Sequence, residues 1–426
     1  MLSNAIRGPL LIPMETGSVV YHADGVLAGD DRGKILFAGN WLESGIDGTR
    51  VPVRQSEGVM LPPLLDIHTH ISQHPIRGRF LEGVEKDGKE GKLLAGLYRN
   101  VYPAEAKCSQ PDIAERTVRQ FLADTLSHGV VGGAAYMTTS ATATDIALSI
   151  LPDSWSVGLV LMDQNCPENL RTDEPQLDED IQRLANRYGR RFIVTDRFAV
   201  VVSSRLRRQA SALAGKFGLR AQTHLNEQVA EKSLIETELY PGCASYTDVY
   251  LQDGLLDHQC IAAHCVQMTE EEWRILRATG TVIAHCPTSN ALLGSGVMAL
   301  DEVMRWKIPY AIATDVAASP TVSMLAEMRR FLQVHAGRSD HATPAEALYR
   351  STRAPAELLR LEHQIGRLQA GSAMSFIEVE PGALSGGNVT ESIIRSLLPE
   401  DPDHPGATVR RVTLGGRCAF QTDRIS

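Results

Sequence analysis

From residue 59 to about 316, short apolar runs that close on polar residues alternate with longer stretches in which apolar positions recur every three or four residues. Strand-length runs alternating with helical periodicity predict repeated strand–helix units and a parallel sheet. Eight such runs follow one another: VMLPPLLDIHTH, VVGGAAYM, VGLVLM, FIVTDRFA, LRAQTHLNE, CIAAHC, VIAHCPTSN and YAIATDV. Eight is the number that closes an α/β barrel, so the predicted fold class is α/β, a (β/α)8 TIM-type barrel.

The helical stretches carry their own punctuation. In PDIAERTVRQFLADTLSHG the apolar residues Ile113, Val118, Phe121, Leu122 and Leu126 fall at helical spacing, and Gly129 ends the pattern. Thr269 with Glu272 is a capping-box signal ahead of Trp273, and residues 343–361 predict a further helix.

Both ends of the chain read differently. VVYHADGVLAGD and DRGKILFAG near the N-terminus, and SAMSFIEVE and TVRRVTLGG near the C-terminus, have the pattern of strands around turns. The expected organisation is a small β-sandwich from residues 1–58 and 366–426, with a barrel domain, 59–365, inserted between its halves. The segment from about 76 to 107 is long for a loop between strand and helix, and such loops cover or line the open end of a barrel. Its Gly-, Lys- and Glu-dense stretch from Glu82 to Lys92 reads equally well as an exposed excursion.

Composition narrows the class. Of 426 residues 43% are hydrophobic and 22% charged, as in folded globular chains. Fifty-one acidic against 42 basic residues give a formal charge of -9, which disfavours nucleic acid and anionic membranes and leaves a small neutral ligand as the better partner. Arg205, Arg207 and Arg208 lie on a predicted helix and read as a solvated face rather than a phosphate groove. Seven cysteines without a Cys-x-x-Cys pair argue against a disulfide framework and point to a reducing, cytoplasmic setting. No apolar stretch approaches the ~20 residues of a membrane span, and MLSNAIRGPLLIPMETG has no convincing signal-cleavage site. Oligomeric state stays open, with a homodimer as one option.

The candidate chemistry sits where the apolar runs end. His68 and His70 in DIHTHISQ are two apart on a predicted strand and so point to one side, where they can share a metal ion. A His-x-His pair arises by chance about 0.4 times in a chain with this many histidines, so the pair alone is weak. His224 in THLNE, His264 in AAHC and Asp315 in ATDV also end apolar runs, and a barrel gathers such positions at one mouth. Singly, each reads as a hydrogen-bonded core histidine or a capping aspartate. Together they suit Zn2+, one per subunit, with a position left for water, although iron or another divalent ion suits the same donors. Glu227, three residues after His224, is placed to shuttle protons; the bland alternative is a glutamate favoured by a helix N-terminus. Cys265 and Cys286 read as small buried fillers.

Through HTH at 68–70, HLNE at 224–227, AHC at 263–265, HCPTSN at 285–290 and TDV at 314–316, the chain resembles the aminohydrolases of the amidohydrolase superfamily. Within that superfamily HTHISQ, NVYPAEAK, VGLVLMDQNCP and TDRFA are most similar to the guanine deaminase group. The resemblance implies zinc on His68, His70, His224 and Asp315, and proton movement by Glu227 and Asp315, with His264 beside the attacking water. It also implies a purine pocket in which Gln73 and Arg197 hydrogen-bond the ring and Phe198 packs on it, lined too by His70, His224, Glu227 and Asp315. The implied reaction is hydrolytic deamination of guanine to xanthine and ammonia. Three departures from the group's pattern bear on substrate choice: Asp196 in place of proline, His74 in place of an aromatic, and Ala317-Ala318-Ser319 in place of a glycine pair. They leave a pterin or triazine as alternative substrates, and a catalytically silent barrel as a third reading. The resemblance makes His285 and Asn290 shapers of the site floor.

Overall fold

The computed structural model describes residues 2–15, 18–84, 91–384 and 386–422. It divides into two compact units, one of Met1–Asp66, Ala123–Val131 and Val322–Ser426, the other of Ile67–Leu122 and Gly132–Thr321. The N-terminal strands are β1 (Leu2–Glu15), β2 (Ser18–Asp30), β3 (Ile35–Asn40), β4 (Val53–Gln55) and β5 (Val59–Leu61). Eight more follow: β6 (Leu64–His70), β7 (Val130–Tyr136), β8 (Trp155–Leu161), β9 (Phe192–Asp196), β10 (Arg220–Leu225), β11 (Cys260–His264), β12 (Val282–His285) and β13 (Tyr310–Ile312). The last are β14 (Phe376–Val379), β15 (Val409–Leu414) and β16 (Arg417–Gln421).

Strands β6 to β13 are the eight runs predicted from the apolar pattern, and they lie side by side in sequence order. The registered pairs from β7 to β13 are parallel. Asp315 N donates to His68 O at 2.9 Å and His70 N to Val316 O at 3.1 Å, which draws the end of the last strand against the first and nearly closes the barrel. Most of these strands are buried along their whole length, which is why they read as continuous apolar runs rather than alternating ones. A Cβ on Gly158 of β8 would stand 1.8 Å from Thr195 Oγ1 and 2.6 Å from Gln222 Nε2, so glycine makes room there for a polar layer inside the barrel. Thr195 and Gln222 hydrogen-bond each other at 2.9 Å.

The two ends of the chain meet, as the sequence predicts. Their sheet runs β16-β15-β14-β5-β1-β2-β3, with β4 on β1, and the antiparallel β5–β14 pair joins the N-terminal strands to the C-terminal ones. Alternate residues serve its two faces: Ile6, Leu10, Leu27 and Phe376 pack together, and Ala5, Val26 and Ala28 form a second cluster.

The helix Pro111–Ser127 forms as its spacing predicts, with Ala114, Thr117, Val118, Phe121 and Thr125 as its buried stripe and Ile113, Leu122 and Leu126 half-buried. Two local expectations need correction. Residues 343–361 hold two helices, Pro344–Ser351 and Arg353–Leu359, broken at Thr352 with φ -129° and ψ -80°. Pro355 explains the break, since its ring and missing N–H cannot continue the preceding helix. Arg207, expected on a solvated face, is fully buried in the helix Ser204–Phe217. Its Nε reaches Asp196 Oδ2 at 2.9 Å, one terminal nitrogen reaches Asp253 Oδ2 at 2.6 Å and the other Val202 O at 2.7 Å. Two carboxylates from other parts of the chain make that burial tolerable. Arg205 and Arg208 stay exposed. No helix among the described residues is long and apolar enough to cross a membrane.

Candidate functional site

The C-terminal ends of β6, β10, β11 and β13 bring His68, His70, His224, His264 and Asp315 to one place. His264 and Asp315 take φ of +72° and +55°, a left-handed conformation that costs a residue with a Cβ and gathers at functional positions. Oδ1 of Asp315 lies 3.3 Å from His68 Nε2 and 3.1 Å from His70 Nε2. His224 Nε2 is 3.3 Å from His70 Nε2. Donor atoms of His68, His224, His264 and Asp315 all fall within 4.8 Å of one another.

The electrostatics favour a cation in their midst. Burial, opposed only in part by Asp315, pushes His68 down to about 4, and burial lowers His70 as well. Burial, with the neighbouring imidazoles adding to it, holds His224 well below the usual histidine value. Burial alone would raise Asp315, but hydrogen bonds from His68 and His70 outweigh it and hold the carboxyl well below its usual range. Neutral imidazoles and an ionised carboxylate are the forms that ligate metals. The buried Nε2 of His264 makes no hydrogen bond among the described residues. A buried lone pair without a donor is costly unless an ion or water fills the space before it, so the residues fit a divalent metal.

Glu227 lies just beyond β10, 2% exposed, with Oε2 at 3.5 Å from His264 Nε2 and Oε1 accepting from Ser295 Oγ at 3.2 Å. Burial, reinforced by the charge of Asp315, pushes its carboxyl up to about 8. The helix-capping alternative belongs to a different residue. Glu231 completes the capping box of the helix Val229–Leu234, accepting from the backbone N–H of Gln228 and of Glu227, each at 3.1 Å. That leaves the Glu227 side chain to face the histidines.

A cavity opens beside the cluster. His70, Gln73, Arg197, Phe198, His224, Glu227 and Asp315, every side chain the resemblance places around a purine, line it. Phe80, Leu93 and Leu97, from the long segment after β6, supply its apolar wall, so that segment does line the site. The Glu82–Lys92 stretch lies outside the described residues from 85 to 90. Arg197 is buried, with a terminal nitrogen 2.5 Å from Glu105 Oε1, while its neighbour Asp196 turns to Arg207, as strand alternation requires. His74 packs edge-on against Phe121 at 5.8 Å. Neither His74 nor Asp196 lines the cavity, whereas Ala317 N donates to Gln73 Oε1 at 3.3 Å.

Sequence reasoning passed over Ser289 and the Arg197 carbonyl, and left Asn290 as a shaper of the site floor, yet all three hold this site together. Ser289 Oγ donates to Asp315 Oδ2 at 2.6 Å, Asn290 Oδ1 lies 2.9 Å from His264 Nδ1, and the Arg197 carbonyl lies 2.6 Å from His224 Nδ1. Ser289 and Asn290 stand in the HCPTSN segment, so a signal for them was in view. Cys265 and Cys286 are buried, outside the candidate ligand set, as fillers would be.

Comparison with known proteins places the chain by family and by fold. The amidohydrolase family profile matches residues 59–403. Guanine deaminase of Rattus norvegicus is 28% identical over 384 residues, covering 84% of this chain and 82% of its own. The solved structure of E. coli guanine deaminase superposes with a TM-score of 0.85 at 25% identity, covering 99% of this chain and 100% of that one. A guanine deaminase from C. acetobutylicum with guanine bound in its active site shares the fold, with a TM-score of 0.84 at 23% identity over 98% of this chain and 100% of that one.

Proposed function

The chain belongs to the amidohydrolase family, and from that premise we propose that it deaminates guanine hydrolytically, giving xanthine and ammonia, with one zinc ion per subunit. The observation that carries the substrate is Arg197, a buried guanidinium on the cavity wall beside Gln73 and next to the histidine–aspartate cluster. A guanidinium offers donors only, so it suits the carbonyl edge of guanine and opposes the amino donor of adenine. Phe198 presents a ring to the heterocycle from the next position. Two of the three departures that motivated a pterin or triazine, His74 and Asp196, do not line the cavity, and the intact donor set speaks against a silent barrel.

His68, His70, His224 and Asp315 would hold the metal, which supplies an activated water at neutral pH. Asp315, ionised and within reach of that position, takes the proton of the water. Glu227, protonated near neutrality, gives a proton to the ring nitrogen beside the reacting carbon; as a carboxylate it then takes the proton of the added hydroxyl and passes it to the departing ammonia, and the proton held by Asp315 restores it. His264 lies beside that water, its Nε2 turned toward both carboxylates and able to accept a hydrogen bond from it. Residues 59–365 form the hydrolase domain on this reading, supported by a family match that begins at residue 59. The test is xanthine and ammonia release from guanine, with and without a chelator and with adenine alongside. Chelator-sensitive turnover of guanine and none of adenine is expected; turnover of a pterin but not of guanine would overturn the substrate.

A further inference from the structure

Glu105 has no assigned part in the chemistry, yet it is a fully buried carboxylate in the helix Tyr102–Cys108. Its Oε1 accepts from Gln73 Nε2 at 2.9 Å and from a terminal nitrogen of Arg197 at 2.5 Å. Its Oε2 makes no hydrogen bond among the described residues, so these two donors are what the structure offers to justify its burial. It does not line the cavity itself. We propose that Glu105 is a positioning residue that sets both the hydrogen-bond polarity and the charge of the purine-binding wall, an inference that rests on the purine reading of the site.

The polarity argument begins with Gln73. A carboxylate accepts and never donates, so it compels the nitrogen end of the Gln73 amide to face it. The oxygen end is thereby turned to Ala317 N–H at 3.3 Å. Without Glu105 only the Ala317 N–H, at 3.3 Å, holds that choice, and an amide flip would exchange a donor for an acceptor on the wall. Glu105 Oε1 also takes one arm of the Arg197 fork, leaving the remaining N–H groups in a fixed plane for the ring carbonyl.

The charge argument concerns selectivity. Arg197 is buried in a cavity wall that also carries Phe80, Leu93, Leu97 and Phe198, where an unbalanced cation would attract anions strongly. Paired with Glu105, the wall is neutral overall and suits a neutral ring. Replacing an amino group by a carbonyl makes the ring N–H groups more acidic, so the product ionises more readily than the substrate. A wall left cationic would therefore retain the product and favour anionic purines over guanine.

The test compares the wild-type protein with Glu105→Gln, Glu105→Asp and Arg197→Gln, all loaded with metal. It measures KM and kcat for guanine, together with calorimetric binding of urate, an anionic purine that is not turned over. Glu105→Gln is expected to raise KM about tenfold with a smaller change in kcat, and to tighten urate binding about tenfold. Glu105→Asp, which keeps the charge, should keep urate weak. A role confined to stability would not strengthen binding of an anion. Wild-type KM and wild-type urate affinity in Glu105→Gln would overturn the proposal. Should that variant not fold, Arg197→Gln decides: weaker urate binding supports the charge argument, and unchanged binding overturns it. Because urate binding is read without turnover, a wild-type chain inactive on guanine would sink the functional reading while the binding contrast still judged Glu105.

Discussion

Asn290 grips His264 by its outer nitrogen: the amide Oδ1 lies 2.9 Å from the imidazole Nδ1. An amide oxygen accepts, so the ring proton belongs on Nδ1 and the Nε2 lone pair faces Glu227 at 3.5 Å and Asp315 at 4.0 Å. That single contact selects the tautomer of a buried ring that has no solvent to do so.

Replacing Asn290 with Ala should therefore cost roughly 10–100-fold in kcat while metal content stays near one per subunit, the range seen when an orienting partner of a site histidine is lost. Steady-state kinetics and metal analysis of the same preparation check it. Full activity would mean that the ring is oriented by packing alone.

Two buried carboxyls make the stability of the metal-free chain depend on pH. Burial, aided by a neighbouring carboxylate, pushes Glu227 up to about 8 and Glu231 up to about 7, from an ordinary 4.5. Between the ordinary and the raised values the folded chain holds protons that the unfolded chain has lost, so stability falls as pH rises through that window and levels off above about 8. Thermal unfolding of the chelated protein from pH 7 to 9, above the range in which the lowered His68, His70 and His224 contribute, should show Tm dropping toward the alkaline side. Glu227→Gln, which has no proton to lose, should show a shallower drop. An equal slope in both would remove Glu227 as its source.

The barrel and the mouth of the site were legible because four of its apolar runs end on candidate site residues: His68 and His70, His224, His264 and Asp315 stand at or just beyond strand ends. The supporting groups were not. Glu105 meets Gln73 across 32 positions and Arg197 across 92, and Ser295 meets Glu227 across 68, so no local pattern connects them. Arg207 misled for the same reason, since the acids that neutralise it lie 11 and 46 positions away. The broken helix differs, because Pro355 was a visible signal against a continuous helix from 343 to 361.

Arg207 also yields a stability prediction. It holds Asp196, whose other oxygen takes Thr223 Oγ1 at 2.9 Å and Tyr250 OH at 3.2 Å, and it holds Asp253. Arg207→Ala leaves the buried Asp196 without a cation and Asp253 with only Arg208 at 3.4 Å, and breaking such a network by one partner costs about 3–5 kcal/mol. A lower denaturant midpoint at unchanged slope is the expected result, and a loss below about 1 kcal/mol would mean that water replaces the guanidinium.

His70 and His264 compete for the fourth ligand position, and the two lines of argument choose differently. Distance alone groups His264 with His68, His224 and Asp315 within 4.8 Å. The resemblance chooses His70, and the contacts favour it. His70 Nε2 lies 3.1 Å from Asp315 Oδ1, the oxygen that also faces His68, and 3.3 Å from His224 Nε2. His264 instead stands 4.0 Å from the other oxygen, Oδ2, and is nearer to Glu227. A ligand removed takes the metal with it, whereas a residue that acts on water or substrate leaves the metal and lowers the rate. His70→Asn should accordingly purify with little metal. His264→Asn should keep it and lose about 10²–10⁴-fold in kcat. Metal content by mass spectrometry beside turnover separates them, and metal loss in His264→Asn equal to that in His70→Asn would make His264 a ligand.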